Sequence, residues 1–261
     1  MGGQRDGAAE GGFTLVELMV VIGLVAILAS ILTLGIRRAS ESFALRRAGT
    51  VTLSEIRRAQ TGATSDGVNY VVEFDVGAPG AVRVYRPGVQ TDSVMAVVSN
   101  GADTRRVTIT GTASGRVVTE TLELAGTTEV VGTQDFDWVI QVDVPSDNTA
   151  RTITVRQGSG GPVLTTIPVN VTVAVLPWTT VRGVTGAEWP AGVAIDATGT
   201  TFGACGGPPG NAANECAIFQ PLGFPSAGGN VLLCDSRRIP LRITIADATG
   251  RVRLDRVGAC P

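Results

Sequence analysis

Residues 13–36 read FTLVELMVVIGLVAILASILTLGI, a run with one charge, Glu17, and no proline. As a helix at 1.5 Å per residue it would extend roughly 36 Å, enough to cross the ~30 Å hydrocarbon core of a bilayer. It exceeds the apolar region of an ordinary secretory signal, which is about 7–15 residues long. A hydrophilic, glycine-rich leader, MGGQRDGAAEGG, precedes it at 1–12. A plain anchor helix has no use for Glu17, because an ionised carboxylate inside a membrane costs about 2.5–3.5 kcal/mol even on lenient insertion scales. The acid therefore asks for a partner.

Working outward, residues 37–64 hold no proline, and Leu45, Ala48, Thr52, Ile56 and Ala59 recur at helical spacing. The helix is expected to continue through this segment as an amphipathic stretch. Arg37, Arg38, Arg46, Arg47, Arg57 and Arg58 stand among Glu41 and Glu55, either as a solvated face or as contacts to lipid headgroups or neighbouring subunits. From 65 to 261 the pattern changes to short Val, Ile and Thr runs broken by Gly, Pro, Asp and Asn, which reads as a β domain. Strands are predicted at 70–74, 81–85, 106–110, 117–124, 138–144, 152–156, 169–176, 192–195, 230–234, 241–246 and 251–254. The fold class is α+β, a long N-terminal helix whose first half spans the membrane, followed by a β-rich globular domain.

The string Gly12-Phe13-Thr14-Leu15-Val16-Glu17-Leu18, followed by the apolar run, resembles the N-terminal signal of type IV pilins and of the pseudopilins of type II secretion systems. The resemblance implies that 1–12 is a prepilin leader. A prepilin peptidase would cut between Gly12 and Phe13 and methylate the new N-terminal Phe13. It also implies assembly through Glu17: the carboxylate sits one turn inside the positive end of its own helix and pairs with the Phe13 amine of a neighbour in an apolar filament core. The leader holds one Arg and two acids, and four arginines crowd the far flank of the run. Charge counting alone favours the opposite membrane orientation, and the motif is taken to override it.

The stretches SDGVNYVVEFDVGAPGAVRVYRPG and RRIPLRITIADATGRVRLDRV resemble the FimT/GspH branch of that family, in which a β domain packs on the helix and the chain closes in a hairpin. Residues 90–177 are long for that branch and read as an inserted β subdomain.

Composition narrows the chemistry. The 21 basic residues are all Arg, and His is absent. Ser-His-Asp or Cys-His nucleophiles, His-ligated metals, Schiff-base lysines and P-loop lysines are therefore excluded. No enzyme activity, metal or cofactor is expected. Gly223–Gly228, GFPSAG, is not a nucleophile elbow, and Asp135 and Asp137 read as turn acids. The net charge of −2 does not argue for a polyanionic partner over the whole surface.

The four cysteines, Cys205, Cys216, Cys234 and Cys260, include no C-x-x-C pair and point to two disulfides in an oxidising compartment. Three connectivities are open. Sequential closure, Cys205 with Cys216 and Cys234 with Cys260, is preferred because it closes the loop GGPPGNAANE and pins the C-terminus.

The C-terminal hairpin can be read residue by residue. A turn over 247–250 sets Ile245 opposite Val252, Ile243 opposite Leu254, Thr244 opposite Arg253 and Arg242 opposite Asp255. One face is then apolar, and Arg251 and Arg253 point away from it. Gly250 suits a turn position with positive φ. The string Gly250-Arg251-Val252-Arg253 resembles the G-R-x-R motif of FimT-type minor pilins that bind DNA in natural transformation. Residues 231–261 hold six Arg against three Asp, a local cationic excess.

The expected protein is a single-pass inner-membrane subunit with its C-terminal domain exported to the periplasm or cell surface. Its partners are prepilin peptidase and other pilins or pseudopilins in a filament. The leading role is a minor pseudopilin of type II secretion, supporting protein export. The alternative is a type IV minor pilin that takes up DNA through Gly250, Arg251 and Arg253.

Overall fold

The apolar run and the arginine-flanked segment after it form one continuous helix, α1 (Leu15–Asp66), 52 residues long. The computed structural model describes residues 14–77, 79–145, 148, 151–205 and 213–261, with the side chains of 32–35 and 37–38 left out. The chain divides into two units, Met1–Phe43 and Ala44–Pro261, and α1 contributes to both.

In the first unit Leu15, Val16, Leu18, Met19, Ile22, Leu24, Ile27 and Ile31 are all exposed, so the helix is apolar around its circumference. Among the described residues no helix is long and apolar enough to cross a membrane. The span expected over 13–36 runs past what is described, since Phe13 and the side chains of 32–35 are not included.

In the second unit the helix buries Leu45, Ala48, Thr52, Ile56, Ala59 and Ala63, the stripe that the i, i+3, i+4 spacing marks out. Thr52 stays satisfied there by donating its hydroxyl to the Ala48 carbonyl at 2.9 Å. The helix ends where Gly67 adopts φ +67 and its N–H closes on the Ala63 carbonyl at 3.1 Å, a left-handed cap.

Fifteen strands follow among the described residues. They are β1 (Tyr70–Asp75), β2 (Ala81–Pro87), β3 (Val89–Ser99), β4 (Arg106–Ala113), β5 (Arg116–Glu123), β6 (Val130–Asp143), β7 (Ile153–Gln157) and β8 (Val163–Ile167). After these come β9 (Val173–Val175), β10 (Trp178–Val184), β11 (Val193–Ile195), β12 (Glu215–Phe219), β13 (Gly229–Asp235), β14 (Pro240–Ile245) and β15 (Val252–Arg256).

They pair in three antiparallel sheets: β10-β2-β1-β12; β11-β13-β14-β15; and β5-β4-β6-β3-β7-β8, with β9 beside β6. The first two sheets share one core with the helix, through Ile56, Phe74, Val84, Phe219, Leu233 and Ile243 among others. The third sheet encloses a core of its own, around Met95, Ile109, Phe136, Val142, Ile153 and Ile167.

The two cores meet at a neck where the chain leaves β2 and returns before β10. The Gly88 N–H donates to the Pro177 carbonyl at 3.1 Å, and the Thr179 hydroxyl donates to the Gly88 carbonyl at 2.7 Å. Buried Arg86 spans this neck. Its Nη1 lies 2.8 Å from Asp66 Oδ2 at the end of α1, its Nη2 donates to Thr112 Oγ1 on β4 at 3.2 Å, and its guanidinium sits 4.0 Å from the Trp138 ring centroid on β6. The Tyr70 hydroxyl donates to the same Asp66 oxygen at 2.7 Å.

On the opposite face of the first sheet, buried Glu73 accepts hydrogen bonds from Tyr85 at 2.7 Å, Asn214 at 2.8 Å and Arg83 at 3.1 Å. Burial, and then the hydrogen bond to Glu73, push the Tyr85 phenol up to about 12; burial and Asp66 push Tyr70 up as well.

The structure departs from the sequence reading at several strands. β3, β8, β10 and β12 were not anticipated. β3 is interrupted by polar residues and register shifts, with Asp92 at φ +47, so it lacks a clean alternation. β10 carries a shift between Thr180 and Arg182, and β12 begins Glu-Cys-Ala, of which Glu and Ala have low strand propensity. The strand expected over 169–176 is reduced to the short β9, because Asn170 turns the chain with φ +66.

Candidate functional site

Two regions carry the predicted functional residues: the start of α1 and the C-terminal hairpin. Gly12 and Phe13, the expected cleavage and methylation positions, lie outside the described residues.

The helix begins at Leu15, and a reciprocal cap builds its first turn. The Thr14 N–H and hydroxyl both donate to Glu17 Oε2 at 3.1 Å, while the Glu17 N–H donates to Thr14 Oγ1 at 3.2 Å. This is a capping box, in which Thr and a Glu three residues later satisfy otherwise orphaned helix-end groups. The carboxylate also sits where the helix dipole favours an anion. The T-x-x-E spacing of Thr14 and Glu17 is the sequence signature of this cap. Glu17 thus has a local partner within its own chain, exposed at the start of an apolar helix.

At the other end of the chain, the pairing of β14 with β15 has the anticipated register: Ile245 with Val252, Thr244 with Arg253, Ile243 with Leu254 and Arg242 with Asp255. The turn is closed by the Gly250 N–H donating to the Ala246 carbonyl at 2.9 Å. Ile243 and Ile245 are buried, as expected of the apolar face. Leu254 is 44% exposed, a difference that follows from β15 being the outermost strand of its sheet. Arg251 and Arg253 are exposed, and alternation places both on the face shared with Arg242, Thr244 and Asp255.

Gly250 plays a different part from the two arginines. It is buried at φ +61, and its carbonyl accepts a hydrogen bond from Gln60 Nε2 of α1 at 2.6 Å. A Cβ there would stand 2.9 Å from both Gln60 Nε2 and the Gly223 carbonyl oxygen. The glycine is thus needed by conformation and by close approach together. It seats the arginine-bearing strand against the helix and the 220–225 loop. Gln60 left no signal in the sequence, since a polar residue on a helix face gives no sign of a contact 190 positions away.

The cysteines pair as Cys205–Cys216 and Cys234–Cys260. The second bridge ties the tail to β13, and the Cys260 N–H also donates to the Arg238 carbonyl at 3.3 Å. Asp137 is occupied structurally, accepting the Ser114 N–H at 2.6 Å. Among the described residues no group of three or more Cys, Asp or Glu side chains is arranged to hold a metal ion.

Residues 8–33 match the family model described as the prokaryotic N-terminal methylation motif. The chain therefore carries a type IV pilin-like prepilin signal, and the match encloses Gly12, Phe13, Thr14 and Glu17. It covers the signal alone and does not separate one pilin-like branch from another. No curated protein and no solved structure matches the chain.

Proposed function

We propose that this chain is a minor pilin-like structural subunit of the FimT/GspH type, serving the pseudopilus of a type II secretion machine in support of protein export. In this reading prepilin peptidase cuts between Gly12 and Phe13 and methylates Phe13. The helix anchors the subunit in the inner membrane and then in a filament of other pilins, and the β domain is exported. The role is non-enzymatic and needs no cofactor.

The observation that carries the proposal is the union of the prepilin signal with one unbroken helix, apolar and exposed around its first half and built into a β core along its second. An apolar surface of that extent is stable only in an apolar surrounding, which a membrane and then a filament core supply. The two disulfides fit an exported domain.

Glu17 gives the test. Its bond to Thr14 holds the carboxylate at the helix start, where the Phe13 amine of a neighbouring subunit would neutralise it. Glu17→Ala is expected to be cleaved normally, by mass spectrometry of the N-terminus, yet to be poorly recovered in sheared filaments. Filament recovery equal to wild type would sink the pairing argument.

A second reading is favoured by the hairpin. Exposed Arg253 lies on the edge strand β15 and exposed Arg251 stands just before its first residue, roughly 6.8 Å away at two residues of strand rise, so each guanidinium can take a separate phosphate. In that reading the subunit is a type IV minor pilin that binds DNA. Arg251→Gln/Arg253→Gln would then abolish salt-sensitive DNA binding while leaving filament assembly unchanged.

A further inference from the structure

The three sheets end in edge strands, and among the described residues all but one of these edges are blunted. β9 and β11 span three residues each, β15 spans five, and β10 is bulged between Thr180 and Arg182. β12 is covered by isolated bridges at Glu215 and Phe219, and β8 shifts register against β7 and runs into Pro168. Brevity, bulges, cover and proline are the devices that keep a row of open backbone groups from pairing with another chain. β5 has none of these four. It runs eight residues, RVVTETLE, and pairs with β4 from Arg116 to Glu123 without a shift.

The turn before β5 decides which of its backbone groups are open. Ser114 and Gly115 have φ +49 and +73, as a two-residue hairpin turn of the primed type requires, so the closing pair Ala113 and Arg116 bond to each other. The N–H and C=O groups of Val117, Thr119, Thr121 and Glu123 therefore face away from β4. Among the described residues no backbone hydrogen bond engages them, and all four residues are exposed.

The side chains select the occupant. Arg116, Val118 and Glu120 alternate onto one face of the strand. Laid antiparallel against itself about Val118, β5 sets Val118 opposite Val118 of a second copy and Arg116 opposite that copy's Glu120, twice. Opposite charges directly across from one another stabilise a strand pair, and like charges destabilise it. Centring on Thr119 would set Arg116 against Leu122, and centring on Glu120 would oppose two carboxylates. Glu120 also has capacity to spare. Its Oε1 accepts the N–H groups of Thr133 and Gln134 at 2.6 and 3.0 Å, whereas its Oε2, buried beside Gly132, has no hydrogen-bond partner.

We infer that β5 is a self-recognition edge, pairing antiparallel with β5 of a second copy across a two-fold axis at Val118 and joining two of the third sheets into one. This goes beyond the filament reading and depends neither on Glu17 nor on the machine served. The two-fold uses both edges at once, so the contact closes as a dimer and does not propagate as a fibre. The full-length chain in mild detergent is expected to sediment as a dimer that dissociates on dilution. Because the native chain has no free cysteine, Val118→Cys supplies a lone thiol. Mild oxidation should link it to its own copy, since the two Cα atoms stand about 4.5 Å apart in such a pair. Thr121→Cys should stay unlinked, its copies being about 20 Å apart in this register. Arg116→Glu should weaken the dimer about tenfold by opposing like charges. Thr119→Pro should do the same by removing an outward N–H that the fold itself does not use, with circular dichroism unchanged in both variants. A wild-type monomer at every concentration would overturn the inference. So would a dimer that Arg116→Glu and Thr119→Pro leave at full strength, or cross-linking of Thr121→Cys equal to that of Val118→Cys.

Discussion

At Gly250 the chain turns with φ +61 while Gln60 donates to its carbonyl from the helix. An alanine there would meet the left-handed penalty of about 1–2 kcal/mol and would crowd the Gly223 carbonyl as well. Gly250→Ala is expected to lower the stability of the β domain by about 2 kcal/mol in urea unfolding. Any accompanying loss of DNA binding would then report a displaced turn rather than a lost contact. The two tyrosines make a second residue-level test, since the chain has only Tyr70 and Tyr85. Both phenols titrate above the ordinary value of about 10 because they are buried and donate to carboxylates. A raised folded-state pKa means this stabilisation is complete below pH ~10, where the unfolded phenol is still protonated, and is lost as pH rises through about 12 for Tyr85. Phenolate absorbance should therefore appear near pH 10 in denaturant and well above it in the native protein. A native titration at pH ~10 would contradict the burial of these hydroxyls.

Among the elements, β15 carries the second reading's arginine and stands at a sheet edge. It is a five-residue edge strand, paired on one side with β14 and held at its ends by Gly250 and by the Cys234–Cys260 bridge. The bridge closes a segment with a sequence separation of 26, for which chain entropy gives about 3.5 kcal/mol of stabilisation. Cys234→Ser/Cys260→Ser should lower stability by about that amount. In hydrogen exchange it should also strip protection from 252–256 while leaving β4 and β5 as they were. Unchanged protection at 252–256 would show that sheet pairing alone holds the strand.

Over the whole molecule, the Arg86 cluster joins residues beside both cores. Its guanidinium is nearly enclosed, with Asp66, Thr112 and Trp138 around it, so deleting it leaves the Asp66 carboxylate without its cation in a half-covered site. Breaking such a buried pair costs about 3 kcal/mol. Arg86→Ala is expected to uncouple the cores, so that calorimetry resolves two unfolding transitions where the wild type shows one. A single, merely shifted transition would mean that packing rather than this cluster couples them.

The sequence alone determined what is local or periodic. The prepilin signal at 8–33, the buried stripe of the helix from Leu45 to Ala59, and the hairpin register from Ile245 to Val252 each follow from spacing along one segment. The strands it missed, β3 and β12 among them, bear bulges or weak propensity and exist because neighbouring strands complete their hydrogen bonds. Only the tertiary structure brought Gln60 and the 220–225 loop to Gly250, and Asp66, Thr112 and Trp138 to Arg86. Those contacts join residues far apart in the chain. Each is held by hydrogen bonds and close approach that no single segment encodes by itself.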